Sequence, residues 1–176
     1  MLRHWRPSDK SSLVRHANNQ NVSRNLRDRF PYPYTNADAN AFFAALNTGT
    51  SSDFVYAIDI GGEAVGGVGI HTRKDVERHS AEIGYWVAEA FWGRGLATAA
   101  VRRLSQAALR ERAIFRIFAT VFASNPASVR VLQKAGFKLE GVMSCAAVKN
   151  GVLMDAALYA ITRNPDLPYI PWPGIP

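Results

Sequence analysis

The stretch Glu89-Ala90-Phe91-Trp92-Gly93-Arg94-Gly95-Leu96-Ala97-Thr98 constrains this chain more than any other, because it must join two different hydrophobic periodicities. Upstream, Ala81-Glu82-Ile83-Gly84-Tyr85-Trp86-Val87 is rich in β-branched and aromatic residues and reads as a strand. Downstream, Leu96, Ala100, Leu104 and Ala107 recur at helical spacing, with Arg102, Gln106 and Arg110 on the opposite side. A helix therefore begins near Arg94 to Leu96. Two glycines at its mouth let the backbone approach a ligand closely, and the first helical N–H groups point outward with the positive end of the macrodipole. That arrangement suits an anionic diphosphate, with Arg94 adding a charge; the alternative is a tight turn that merely leads into the helix.

The flanking chain alternates strands and helices. Leu2 to Arg6 reads as a short strand, followed by a helix that Pro7 and Ser8 open, with Ser8 as its N-cap. Val22 to Phe30 has the pattern of a short amphipathic helix, which Pro31 and Pro33 end. Thr35-Asn36-Ala37-Asp38 approximates a capping box for a helix through Leu46. Asp53 to Ile60 and Ala64 to His71 are strands about a Gly61-Gly62 turn; Gly66, Gly67 and Gly69 mark a bulge or a close approach.

Beyond the long helix, Ile114 to Phe122 is an apolar strand. A strand, a helix and a strand imply a right-handed crossover, which sets this strand parallel to the Glu82 strand. A helix from Ala127 to Lys134 stops at Gly136, and strands Lys138 to Val148 and Val152 to Ile161 flank a Lys149-Asn150-Gly151 turn. The expected fold is mixed α/β: a mostly antiparallel central sheet with one parallel strand pair, flanked by helices. Residues 1–163 form the domain, and 164–176, with five of the nine prolines, form a tail. That tail reads as a polyproline-like strap, or as an arm reaching a second subunit of a homodimer.

A length of 176 residues suits one domain, and 48% hydrophobic with 20% charged residues excludes disorder. No apolar run has the length of a membrane span, and Met1 to Pro7 lacks a signal-peptide core, so a cytoplasmic, membrane-free protein is expected. The single cysteine, Cys145, precludes an internal disulfide and reads as a small buried filler in a strand. His71 and His79 carry no further ligand pattern, so no metal is expected. The net charge of +7 gathers in residues 1 to 30, which suits a polyphosphate ligand or an encounter with RNA. These arginines are not interleaved with aromatics on strands, which argues against a nucleic-acid platform.

The second informative block is Asn125-Pro126-Ala127-Ser128-Val129-Arg130-Val131-Leu132-Gln133-Lys134-Ala135-Gly136-Phe137. It resembles the late motif of the GNAT superfamily of N-acetyltransferases, Asn-x-x-Ser/Ala, a helix, Lys-x-Gly-Phe and a strand. Trp92 to Thr98 resembles the same family's acetyl-CoA pyrophosphate loop, at the matching separation, and the likeness extends over roughly residues 2 to 163. Within the superfamily the strand and loop look most like the Rim-type branch, whose members acetylate protein N-termini. Trp92 stands where the wider superfamily often has Gln or Arg.

The resemblance implies direct acetyl transfer from acetyl-CoA to a primary amine, foremost a protein or peptide N-terminus. A small-molecule amine is the alternative acceptor, and a non-catalytic acetyl-CoA or RNA-binding protein the alternative class. It implies that Trp92, Gly93, Arg94, Gly95, Leu96, Ala97 and Thr98 hold the pyrophosphate, that Tyr85, Trp86 and Val87 align the pantetheine, and that Asn125 bonds the cofactor arm. Strand alternation sets Glu82, Gly84 and Trp86 on one face. Glu82 is the candidate base, acting through water among apolar neighbours that would make it hold its proton more tightly; otherwise it is a glutamate on an exposed sheet face. By resemblance Ser128 is the candidate acid, and otherwise a helix-terminal hydrogen-bonder. Arg24, Arg27, Asp28, Arg29 and Tyr32 lie where relatives border the acceptor groove.

Overall fold

The computed structural model describes residues 1–47, 54–111, 113–163 and 168–169. Its elements are β1 (Leu2–His4), α1 (Lys10–Ala17), α2 (Gln20–Ser23), α3 (Asn36–Asn47), β2 (Phe54–Ile60), β3 (Glu63–Thr72), β4 (Ser80–Val87), α4 (Leu96–Glu111), β5 (Arg116–Phe122), α5 (Pro126–Ala135), β6 (Lys138–Lys149) and β7 (Val152–Thr162). The strands form one seven-stranded sheet in the order β1-β2-β3-β4-β5-β7-β6. Every neighbouring pair is antiparallel except β4 and β5, the parallel pair that the crossover through α4 requires. This parallel contact is short: it runs from Ser80↔Arg116 to Glu82↔Phe118, and the two strands then part.

Period-two alternation sends each strand's residues to two differently covered faces. On one face Val68, Ile70, Ile83, Val87, Ile117, Ala119 and Val121 are buried against Val101, Leu104 and Ala108 of α4 and Leu132 of α5. The stripe of α4 expected from Leu96, Ala100 and Leu104 thus packs on the sheet, as its 3.6-residue period demands. On the other face Leu13 and Ala17 of α1 and Ala39 of α3 form a second cluster with Tyr34, against which Trp5, Phe30 and Trp86 pack. Trp86 therefore looks away from α4, and Tyr85 toward it.

Local signals account for most of the element ends. The Thr35 N–H donates to Asp38 Oδ2 at 2.7 Å, and the Asp38 N–H returns to Thr35 Oγ1, which completes the expected capping box. Gly136 ends α5 with φ +98°, where an L side chain would be strained. The glycine-rich β3 carries a bulge at Val65, the extra residue between the Ile58↔Gly66 and Asp59↔Ala64 pairs.

Three expectations are corrected. Ser8 does not cap α1: Pro7–Asp9 form a 3-10 turn ahead of it, and the Asp9 carboxylate turns back to accept the Arg6 N–H at 2.8 Å. The helix expected over Val22 to Phe30 shrinks to Gln20–Ser23, because residues beyond it are drawn into long-range ion pairs instead. Cys145 is exposed rather than buried. Ser144, Cys145 and Ala146 oppose Asp155 alone, so the β6 chain bulges out there, with Cys145 at φ +53° and its N–H bonded to Asp155 Oδ1. The tail lies outside the described residues except for 168–169.

A nearly buried charge cluster ties the start of the chain to the sheet. Arg3 bonds Asp9 through both terminal nitrogens, at 2.6 and 2.8 Å, and Asp59 through Nε at 2.6 Å. Burial alone would raise both carboxyls, but the Arg3 bonds, with backbone N–H donors, hold Asp9 and Asp59 below the ordinary carboxylate range. Folded-state values below the unfolded ones mean that this stabilisation is complete above about pH 4 and is lost as pH falls through the folded values. Asp9→Asn is expected to cost about 2 kcal/mol at neutral pH and to flatten the stability profile on the acid side. Urea unfolding of both forms between pH 7 and pH 3 checks this; parallel profiles would refute it.

Candidate active site

Beyond β4 the chain makes a 3-10 turn, Glu89–Phe91, and enters α4 through Gly93 and Gly95 at φ +75° and +74°. Only glycine adopts these values without strain. The first helical bond runs from the Ala99 N–H to the Gly95 carbonyl at 3.0 Å, so the N–H groups of Gly93 through Thr98 have no backbone acceptor among the described residues. The loop is fastened on both sides. Trp92 Nε1 donates to the Val87 carbonyl at 2.7 Å, and Glu89 accepts from Asn19 and Asn21 at 2.7 and 2.9 Å. Arg94 lies with its guanidinium 5.1 Å from the centre of the Phe91 ring. Six outward N–H groups, a helix N-terminus and a cation together form a fitting cradle for a diphosphate.

Because β4 and β5 part beyond Glu82↔Phe118, the stretch Ile83 to Val87 has an edge with no β5 ladder partner. On the α4 side of this edge, the Tyr85 phenol lies 2.7 Å from Ser128 Oγ and donates to the Ser128 carbonyl at 3.3 Å. Burial pushes the Tyr85 phenol up to about 12, against the smaller opposing effect of the Ser128 bond, so it stays protonated at neutral pH. Asn125 caps α5, its Oδ1 accepting the Ser128 N–H at 3.1 Å. The helix-terminal role considered for Ser128 thus belongs to its N–H, while its hydroxyl faces Tyr85. Leu132 is fully buried in the core.

On the opposite side lies a slot open at Gly84 and bordered at Gly69 by a Val55 methyl and His71 Nε2, which a Cβ on Gly69 would meet at 3.1 and 3.5 Å. Gly69 and Gly84 are direct cross-strand partners, and a Cβ on Gly84 would meet nothing within 4 Å. Trp86 stands at one end of the slot and Glu82 at the other, two residues away along β4 in each direction. Half-buried Phe118 and Phe122 of β5 share this face. The Glu82 carboxylate does not have the apolar surroundings expected for it: Arg27 lies at 2.5 Å and Arg73 at 3.9 Å. Arg27 comes from the loop after α2, whose next residue, Asp28, pairs with Lys149 at the β6–β7 turn at 2.7 Å. The Arg24-to-Tyr32 segment therefore does border the slot.

The sequence-predicted residues thus divide between two faces. Trp92 to Thr98, Tyr85, Ser128 and Asn125 gather on the α4 side, with Val87 joined to the loop through Trp92; Glu82 lies across the sheet, as does Trp86, which packs against Phe30. Reasoning from sequence did not find the Gly69–Gly84 pairing, because the β3–β4 register is set across the loop between Thr72 and Ser80, while the Gly61-Gly62 turn fixes only the pairing of β3 with β2. No local pattern signals Arg27–Glu82 or Tyr85–Ser128, since each joins positions far apart in the chain. Three of the seven Lys and Arg residues in positions 1–30 are engaged in ion pairs: Arg3 with Asp9 and Asp59, Arg15 with Glu63 and Arg27 with Glu82. Among the described residues no helix is long and apolar enough to cross a membrane.

An unpaired strand edge beside a glycine-lined helix mouth defines a class of fold that can lay a phosphorylated, amide-bearing arm against a sheet. The chain belongs to the acetyltransferase (GNAT) domain family, whose model matches residues 1–138. It is 34% identical over 101 residues to the uncharacterized N-acetyltransferase YoaA of Bacillus subtilis, which covers 57% of this chain and 56% of that protein. It is 33% identical over 103 residues to the putative ribosomal N-acetyltransferase YdaF of the same organism, covering 58% and 56%. The chain thus spans about half the length of the curated relatives it matches. Among solved structures, RimL, a ribosomal α-N-protein acetyltransferase in complex with coenzyme A, has the same fold, with a TM-score of 0.81, 24% identity and 92% of each chain covered.

Proposed function

We propose that the protein is an acetyl-CoA-dependent N-acetyltransferase whose acceptor is the α-amino group of a protein or peptide. The observation that carries this reading is the parting of β4 from β5 between two differently equipped faces, the glycine-lined mouth of α4 on one and the Gly69–Gly84 slot on the other. The N–H groups of Gly93 to Thr98 and the Arg94 guanidinium hold the diphosphate, and the open edge from Ile83 to Val87, with Asn125 on the other wall, takes the amide-bearing arm. Acetyl-CoA supplies an acetyl group already activated as a thioester with a thiol leaving group.

The chain's own groups then handle protons on opposite sides of the sheet. Glu82, held by Arg27 and Arg73, accepts a proton from the acceptor's ammonium through water. An α-amino group, with a pKa of about 8, needs only this modest help, whereas a lysine at about 10.4 needs more. Ser128 Oγ, kept in place by the Tyr85 phenol, serves as acid on the coenzyme side by donating a hydrogen bond to the departing thiolate, whose proton comes in the end from the nitrogen that has formed the amide. Transfer is direct: the amine nitrogen attacks the thioester carbonyl and the thiolate leaves, with no acyl-enzyme formed. The curated relative named as a putative ribosomal N-acetyltransferase and the RimL fold support a protein N-terminus as acceptor.

The test is release of free thiol from acetyl-CoA with N-terminal peptides, amino acids and polyamines, for the parent and Glu82→Gln together. Turnover on peptides is expected, with kcat lowered about 100-fold or more in the variant and acetyl-CoA affinity unchanged. Turnover by the variant near that of the parent would remove Glu82 from its role as base. Binding of acetyl-CoA without turnover on any amine would overturn the enzyme reading in favour of a sensor.

A further inference from the structure

Glu82, Glu140 and Asp28 are each engaged by a basic side chain, so none of the three is left for the additional ammonium groups of a polyamine. Glu82 already faces Arg27 at 2.5 Å and Arg73 at 3.9 Å. Glu140 is gripped by both terminal nitrogens of Arg116, and Asp28 is taken by Lys149 at 2.7 Å. A site for a polyamine needs carboxylates free to meet each added ammonium, and a second cation next to an occupied pair meets the guanidinium first.

Arg73 has the opposite character. It extends from the end of β3 with its side chain 45% exposed, and its contact with Glu82 is long and one-sided. Its guanidinium lies 5.2 Å from the centre of the Phe118 ring, whose other cationic neighbour, Arg116, is at 5.6 Å. Stacking of this kind holds a guanidinium's plane while leaving N–H donors at its edge for a planar anion. Distance selects which anion. An amine over Gly84 lies about 7 Å along β4 from Glu82, where Arg73 reaches, on a rise of about 3.3 Å per residue. The carboxylate of a free amino acid is too near its own amine to bridge that gap. An extended peptide, gaining about 3.3–3.6 Å per residue, places the side chain of its second or third residue there.

We propose that Arg73 selects acceptor peptides with an aspartate or glutamate at the second or third position. The inference rests on the N-acetyltransferase reading and names the acceptor class for that same slot. Three acceptors decide it: a peptide with aspartates at positions two and three, its counterpart with lysines there, and spermidine. The parent should acetylate the acidic peptide with kcat/KM at least about 10-fold above the lysine peptide and above spermidine, in line with a charge-assisted contact. The preference should shrink as salt is raised. Arg73→Gln should erase it and Arg73→Glu invert it, with the KM for acetyl-CoA unmoved in both.

Equal rates on the two peptides, an unaltered preference in Arg73→Glu, or spermidine as the best acceptor would each overturn the inference while leaving the acetyltransferase reading intact. Absence of turnover on every amine would instead fall on that reading. Fluorescence anisotropy of the labelled peptides with coenzyme A present then decides the inference alone: tighter binding of the acidic peptide, lost in Arg73→Gln, supports it, and indifference refutes it.

Discussion

Gly84→Val is expected to lower kcat/KM for the acceptor by about 100-fold or more, while the KM for acetyl-CoA stays put and the protein becomes no less stable. The two halves of this expectation have separate causes. Glycine inside a strand costs about 0.5–1 kcal/mol relative to alanine, and a β-branched residue fits a pleated sheet better still. The Gly84 position offers open space to a Cβ and its backbone is not left-handed, so valine meets no penalty from the fold. What valine does occupy is the floor of the slot beside Glu82, where the amine must come within bonding reach of the carbonyl. Displacement there by the width of a methyl group is enough to spoil the approach. Steady-state kinetics with each substrate varied, alongside thermal unfolding, separates these effects. A stable variant with unchanged acceptor kinetics would show that the acceptor does not use this slot.

Gly66→Ala should have the reverse profile, a loss of stability on the order of 3 kcal/mol or more with no direct contact to either substrate. A Cβ at Gly66 would stand 2.4 Å from the Trp86 carbonyl oxygen and 3.0 Å from Val87 Cα. Both obstacles are backbone of the neighbouring strand, so no side chain can swing aside. Relief requires β3 and β4 to move apart next to the bulge, and β4 is a central strand whose other edge is already free beyond Glu82. Gly69 gives the contrast within the same strand: there the nearest atom is a Val55 methyl at 3.1 Å, which can yield. Urea unfolding midpoints measure the difference, and a Gly66→Ala protein within 1 kcal/mol of the parent by the usual linear extrapolation would show that the strands can part cheaply.

Much of the architecture was legible because it depends on short-range chemistry. The period of α4, the two-glycine mouth, the Thr35–Asp38 box and the Gly136 stop each follow from residues within a turn or two of one another, and the parallel pairing of β4 with β5 follows from crossover handedness. What was not legible depends on residues that meet only after folding. Glu82 looked like a carboxylate among apolar neighbours because its own strand is apolar, yet its surroundings come from Arg27 and Arg73 on other segments. Cys145 looked buried because alternation was assumed to continue through β6, and a three-against-one bulge breaks alternation without leaving a glycine or proline to announce it. Likewise Ser128 could be placed at the start of α5, but its partner Tyr85 could not be named from spacing alone.

The loop after α2 carries Arg27 to Glu82 and, with the very next residue, Asp28 to Lys149. Adjacent residues of opposite sign thus meet partners of opposite sign on two different parts of the sheet, which works like a polarised plug. Shifting the loop by one position would bring Asp28 against Glu82 or Arg27 against Lys149, turning an attraction into a repulsion in either direction. A segment with only one short helix of its own is thereby confined to a single alignment over the slot, by sign as well as by the packing of Phe30 on Trp86.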